Sequence, residues 1–216
     1  MHRGLYPGDA AHGAVLDKNS DVWDERYSTA EFVYGTTPNA FLVSMIDRLP
    51  RGRVLCVAEG EGRNAVYLAQ AGCSVLAVDA SRVGLEKASR LARERAVHID
   101  TLVADLADFA IQPHSWDAVV SIFCHLPPQL RKRLHRGVVA GLRPGGVLVL
   151  EAYRPEQIHY GTGGPAVADM MPSLAQLREE LQGLEFEHAV ELDRDVTEGK
   201  YHTGRGAVVQ VVAVKR

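Results

Sequence analysis

The feature that most constrains this chain is an alternation that begins at Arg53. Short apolar, β-branched runs recur between amphipathic helical stretches: Val54-Leu55-Cys56-Val57, a Gly-rich turn, a helix through Ala71, then residues 74–78 ending in Asp79. This is a βαβ unit, and the pattern continues. Ser81 caps a helix to residue 95, residues 99–103 and 116–122 read as strands, and residues 127–142 read as a helix opened by two prolines. Arg143-Pro144-Gly145-Gly146 breaks that helix, and residues 147–150 form a fifth strand. Strands that are apolar along their whole length need cover on both faces, which a parallel sheet between two helical layers supplies. Residues 185–194 and 207–214 add a terminal antiparallel hairpin. The expected fold is α/β: a doubly wound, seven-stranded Rossmann-like sheet, mostly parallel, with an antiparallel C-terminal hairpin.

The 216 residues fit one domain, with a loose N-terminal arm over 1–21, a helical flap over 22–50 and the Rossmann-like core over 51–216. The flap is aromatic (Trp23, Tyr27, Phe32, Tyr34) and ends in a helix over 40–49. A net charge of -3 gives no electrostatic footprint for gripping nucleic acid, so a small-molecule partner is expected. Three cysteines without a CxxC pair favour a reducing compartment, and no apolar stretch is long enough for a signal core or a membrane span. A cytoplasmic protein without membrane or nucleic-acid partners is the expectation.

Gly60-Glu61-Gly62-Arg63-Asn64-Ala65 follows a strand and opens a helix, the setting in which a GxGxxA turn holds a nucleotide-type cofactor. Asp79, at the end of the next strand, is placed to accept both ribose hydroxyls of an adenosine, with Ala80 beside it. Charge separates the two cofactor classes that use this geometry. A pyrophosphate wants bare amides and positive potential, whereas Glu59 and Glu61 flank this turn and repel phosphate. S-adenosylmethionine carries ammonium and sulfonium groups that favour such carboxylates. Asp105, after the third strand, reads as the acceptor for the adenine amine, with the Leu106 amide donating to the ring. Gly62 is expected to leave room for the cofactor.

The series Val54 to Asn64, Val78-Asp79-Ala80-Ser81, Ala104-Asp105, Trp116 to Ser121 and Leu142 to Gly146 resembles the ordered motifs of class I S-adenosylmethionine-dependent methyltransferases. Within that superfamily the Gly-Arg-Asn turn ending, Trp23-Asp24-Glu25-Arg26-Tyr27 and the Tyr34-Gly35 to Pro38-Asn39 stretch are similar to the tellurite-resistance and thiopurine methyltransferase-like group. Cys56 stands where that family usually has an acidic residue, Ala58 where it has its first glycine, and Glu59 where a cysteine is common. The resemblance implies backbone contacts from Ile122 and Phe123 to the methionine part of the cofactor. It also implies closure of Trp23 and Tyr27 over that part, and leaves open whether Glu59 or Glu61 meets the ammonium.

Methyl transfer from a sulfonium is an in-line displacement that needs alignment more than a nucleophilic residue. His125 is the candidate catalytic base, set against the plainer reading that it caps a strand end beside a buried Cys124. Tyr34, Tyr160 in the Gly-rich stretch 160–165, and His202 in the terminal hairpin are candidates for the acceptor pocket. No histidine spacing suits a metal, so none is expected. Arg131, Lys132, Arg133 and Arg136 read as the solvated face of a helix whose buried face is Leu130, Leu134, Val138 and Leu142. The expected activity is methyl transfer from S-adenosylmethionine to a small molecule, in one version a soft sulfur, selenium or tellurium nucleophile. The alternatives are a dinucleotide-dependent oxidoreductase and a non-catalytic module that binds an adenosyl ligand.

Overall fold

A computed structural model describes residues 18–216. Seven strands form one sheet in the order β3-β2-β1-β4-β5-β7-β6. They are β1 (Arg53–Val57), β2 (Ser74–Asp79), β3 (Asp100–Val103), β4 (Trp116–Ile122), β5 (Leu142–Tyr153), β6 (Leu184–Thr197) and β7 (Thr203–Lys215). Strands β1 to β5 pair in parallel, and β7 runs antiparallel between β5 and β6. This is the doubly wound, seven-stranded architecture that the apolar alternation predicts.

The period of two along each strand divides the core into two layers. Val54, Cys56, Val120 and Val149 pack with α2 (Ala40–Ser44), α3 (Arg63–Gln70) and α4 (Arg82–Glu94). Leu55, Val57, Val119 and Leu148 pack on the other face against α5 (Pro128–Gly141) and α6 (Leu174–Glu180). Ser81 caps α4 by accepting from the Gly84 amide, and Ser173 forms a capping box with Gln176.

Three expectations need correction. Helix α1 spans Lys18–Tyr27, so the expected loose arm is helical over its last four positions, and its remainder lies outside the described residues. Strand β5 begins at Leu142 rather than after the Arg-Pro-Gly-Gly break, with the irregularity absorbed between Trp116 and Ala118 of its partner. Arg131 is not on a solvated face: it is 2% exposed, and its guanidinium bonds both oxygens of buried Glu180 and the Asp169 carbonyl. His135 joins the same carboxylate at 2.7 Å, so this cluster locks α5 to α6. Leu130, for its part, is only half-buried. Among the described residues no helix is long and apolar enough to cross a membrane.

Candidate active site

The crevice opens at the C-terminal ends of β1 and β4, where the strand order reverses. On its donor side, Asp79 ends β2 with one oxygen accepting from the Gly60 amide and the other from the Ser81 amide, both at 2.8 Å. Burial raises its carboxyl to about 6, while the Ser81, Gly60 and Ala80 amides pull it back. A carboxylate has about four lone-pair positions. The Gly60 and Ser81 amides occupy one position on each oxygen, so the carboxylate keeps acceptor capacity for a ligand hydroxyl.

The two acids of the turn have different work. Glu59 folds onto the start of α3 and accepts from the Asn64 and Ala65 amides at 3.0 and 2.8 Å, and burial raises it to about 7. Its carboxylate fills the place where a pyrophosphate would sit on those amides, which argues against a dinucleotide more directly than repulsion alone. Glu61 is neutralised by Lys87 at 2.7 Å and accepts from the Tyr34 amide, so it anchors the flap. The expected repulsion thus rests on Glu59.

Gly62 also differs from expectation. A Cβ there would lie 2.5 Å from the Cβ of Ala88, so its missing side chain serves the close packing of α3 on α4 rather than cofactor space. Gly60, by contrast, faces the Tyr27 hydroxyl, which a Cβ would approach to 2.6 Å. Tyr27 is 5% exposed, and its stacking with half-buried Trp23 puts α1 over the turn. Asp24 holds that helix in place by accepting from the Val83 amide and the Ser81 hydroxyl. Ala58 sits at φ +50°, a left-handed conformation at the position where a glycine is usual in the resembled motif. After β3, one oxygen of Asp105 accepts from the Ala107 amide at 2.7 Å within its own turn, and the Leu106 side chain is buried.

Beyond β4, Ile122 is buried and Phe123 takes φ +52°, its amide donating to the Glu151 carbonyl at 2.7 Å. Around Phe123 stand Tyr153 at 4.6 Å and His202 at 4.7 Å between ring centroids, with Tyr34 4.8 Å from His202. Tyr34 and His202 therefore stand together beside Phe123. Tyr160 does not: its hydroxyl bonds Asp193 at the exposed edge of β6. His125 is 9% exposed, accepts from the Tyr153 amide through Nε2 at 3.0 Å, and burial lowers it to about 3. That environment fits the strand-end cap rather than a base. Burial likewise pushes the Cys124 thiol up to about 12.

A buried ionic network beneath this cluster was not foreseen. Glu151, 0% exposed on β5, accepts from Arg194 at 2.9 and 2.6 Å, from Gln210 at 2.6 Å and from Asn39 at 2.6 Å. Glu198 accepts from Asn39, Arg194 and Arg63. Asn64 accepts from the Asn39 amide, so the Arg-Asn of the turn ties α3 to the flap and to the β6–β7 connection. Sequence signals for this existed: Glu151 and Gln210 interrupt apolar strands and face each other in register.

The methyltransferase domain family matches residues 54–146. The carboxy-S-adenosyl-L-methionine synthase of Vibrio cholerae is 27% identical over 69% of this chain and 68% of its own length. The glycine N-methyltransferase of Mus musculus is 31% identical over 70% of this chain and 58% of its own. TehB from Haemophilus influenzae shares the fold, with a TM-score of 0.69 at 18% identity over 91% of this chain and 67% of that one. The family match over residues 54–146 and these likenesses converge: the chain is an S-adenosylmethionine-dependent methyltransferase.

Proposed function

We propose that the enzyme methylates a small molecule whose attacking atom arrives already deprotonated and soft, a thiolate or its selenium or tellurium counterpart. One observation carries this reading: the acceptor-side groups that could take a proton are already bonded or made too weakly basic by burial. His125 is committed to the Tyr153 amide, and burial with the nearby Arg63 guanidinium keeps His202 well below its usual range. Glu151 and Glu198 are bound to guanidiniums. An acceptor that brings its own lone pair needs only alignment with the methyl group and shelter from water. The likeness to the tellurite-resistance and thiopurine group favours the same acceptor class.

In this reading Asp79 takes the ribose hydroxyls, with Gly60 and Ala80 at its edge, and Asp105 and the Leu106 amide hold the adenine. The backbone at Ile122 and Phe123, with Glu59 of the turn, frames the methionine part, and Trp23 and Tyr27 cover it, while Glu61 and Gly62 hold the turn against the flap and α4. Tyr34 and His202 line the acceptor side.

An amine acceptor is the second reading, favoured by the glycine N-methyltransferase relative. It requires a base to deprotonate the ammonium form. Steady-state turnover on thiols of graded acidity separates the two. If the acceptor supplies the charge, the pH at which the rate levels off tracks each thiol's own ionisation. A single enzyme ionisation common to all acceptors would count against this reading.

A further inference from the structure

Tyr153, the last residue of β5, is 0% exposed, and its hydroxyl has no hydrogen-bond partner among the described residues. A buried hydroxyl left in that state is rare, because folding strips it of water without replacing the bond. The ring is held on several sides. Phe123 packs at 4.6 Å, His125 stacks at 5.5 Å and His202 meets it edge-on at 5.3 Å. Its position is thus imposed by packing, and the hydroxyl is aimed rather than loose.

The hydroxyl lies under Gly163, whose added Cβ would stand 3.1 Å from it and 3.0 Å from the His202 ring. Gly163 has φ +137°, and Gln157 fixes the strap by donating to the Gly163 carbonyl and the Thr162 hydroxyl, both at 3.0 Å. The backbone of residues 161–164 therefore closes over the phenol with no side chain that satisfies the hydroxyl, and an acceptor reaches it when this glycine-rich segment lifts. Burial, with Glu198 next in effect, raises the phenol far above its ordinary range, so it remains a donor at any working pH.

Resting on the thiolate reading above, we propose that the Tyr153 hydroxyl is the hydrogen-bond donor that binds the acceptor's anionic sulfur and orients it toward the methyl group. The sulfur attacks with one lone pair while another accepts from Tyr153. A carbon–sulfur bond forms to the acceptor, the bond from the methyl carbon to the sulfonium breaks, and its electron pair returns to the donor sulfur. The acceptor's negative charge and the donor's positive charge cancel, and Tyr153 keeps its proton throughout.

Tyr153→Phe tests this, since it removes only an unpartnered hydroxyl and so leaves the fold intact. The melting temperature should hold or rise, and the affinity for S-adenosylhomocysteine should stay within about twofold. The kcat/KM for thiols should fall about tenfold to a hundredfold, the range for a hydrogen bond to a charged group. Because the donor favours the bound thiolate, the acid limb of the kcat profile should move up by about one pH unit. Unchanged kcat/KM and an unmoved limb would overturn the proposal and leave the hydroxyl to a buried water. Wild-type enzyme that turns over amines and no thiol would instead remove the thiolate reading, and this proposal with it.

Discussion

The two sides of the crevice handle buried charge in opposite ways. On the donor side, Asp79 and Glu59 are held by backbone amides, and burial raises both above the usual carboxylate range. On the acceptor side, Glu151 and Glu198 are matched by Arg63 and Arg194, two negative charges against two positive. Asp79 accepts one amide bond on each oxygen and keeps acceptor capacity, whereas Glu151 accepts four bonds, two from Arg194 and one each from Gln210 and Asn39, and has none to spare. In the proposed reading the first arrangement binds and the second holds shape. It joins the flap through Asn39, α3 through Arg63, β5 through Glu151, and β6 with the β6–β7 connection through Arg194 and Glu198.

The sharpest way to break that contrast is Glu151→Ala. It empties the buried carboxylate position and leaves the half-buried Arg194 guanidinium with half its partners gone, and should cost about 3–5 kcal/mol in chemical denaturation. A loss below about 1 kcal/mol would mean that the network contributes little to holding the acceptor side. Asp79→Ala should do the reverse, preserving a cooperative fold while weakening S-adenosylhomocysteine by about 1.5–3 kcal/mol in calorimetric titration. Normal affinity in a folded variant would remove Asp79 from the ribose.

Gly62→Ala sharpens the point that not every glycine in the turn faces the ligand. The clash with Ala88 and the left-handed φ of +90° should lower stability by about 1–3 kcal/mol, with donor affinity following only as the fold loosens. Selective loss of affinity at full stability would restore the cofactor-space reading.

The pH dependence follows from Asp79. Its folded pKa of about 6 lies above the unfolded value, so its ionised form is disfavoured in the free fold. Stability from this group is therefore greatest at low pH and declines as pH rises through 6. Ligand hydroxyls select the ionised form, so affinity for S-adenosylhomocysteine should weaken as pH falls below about 6, where stability does not. Equal affinity at pH 7 and pH 5 would contradict the assignment. The smallest effect is expected for Ala58→Gly, which relieves a left-handed alanine and should stabilise the protein by up to about 1 kcal/mol in thermal unfolding.

How much was legible follows the same division. The donor side is local: a strand, a turn, a helix and Asp79 lie within residues 53–79, and apolar runs with Gly punctuation mark them directly. The acceptor side is assembled from residues 39, 63, 151, 194, 198 and 210, which only the sheet order and the β6–β7 pairing bring together. Arg131 departs from its helix's periodicity for the same reason: its burial depends on Glu180, 49 residues away. Tyr160 looked like a pocket residue by its Gly-rich company, but its hydroxyl found Asp193 on the outer strand.

The most direct test is competition. The enzyme is given S-adenosylmethionine and a matched pair of acceptors, one thiol and one primary amine on the same carbon frame, and the methylated products are counted by mass spectrometry from pH 6 to 9. The account predicts a thioether as the dominant product throughout, its rate rising with ionisation of the thiol. A dominant N-methyl product, with a rate set by an enzyme ionisation, would contradict it.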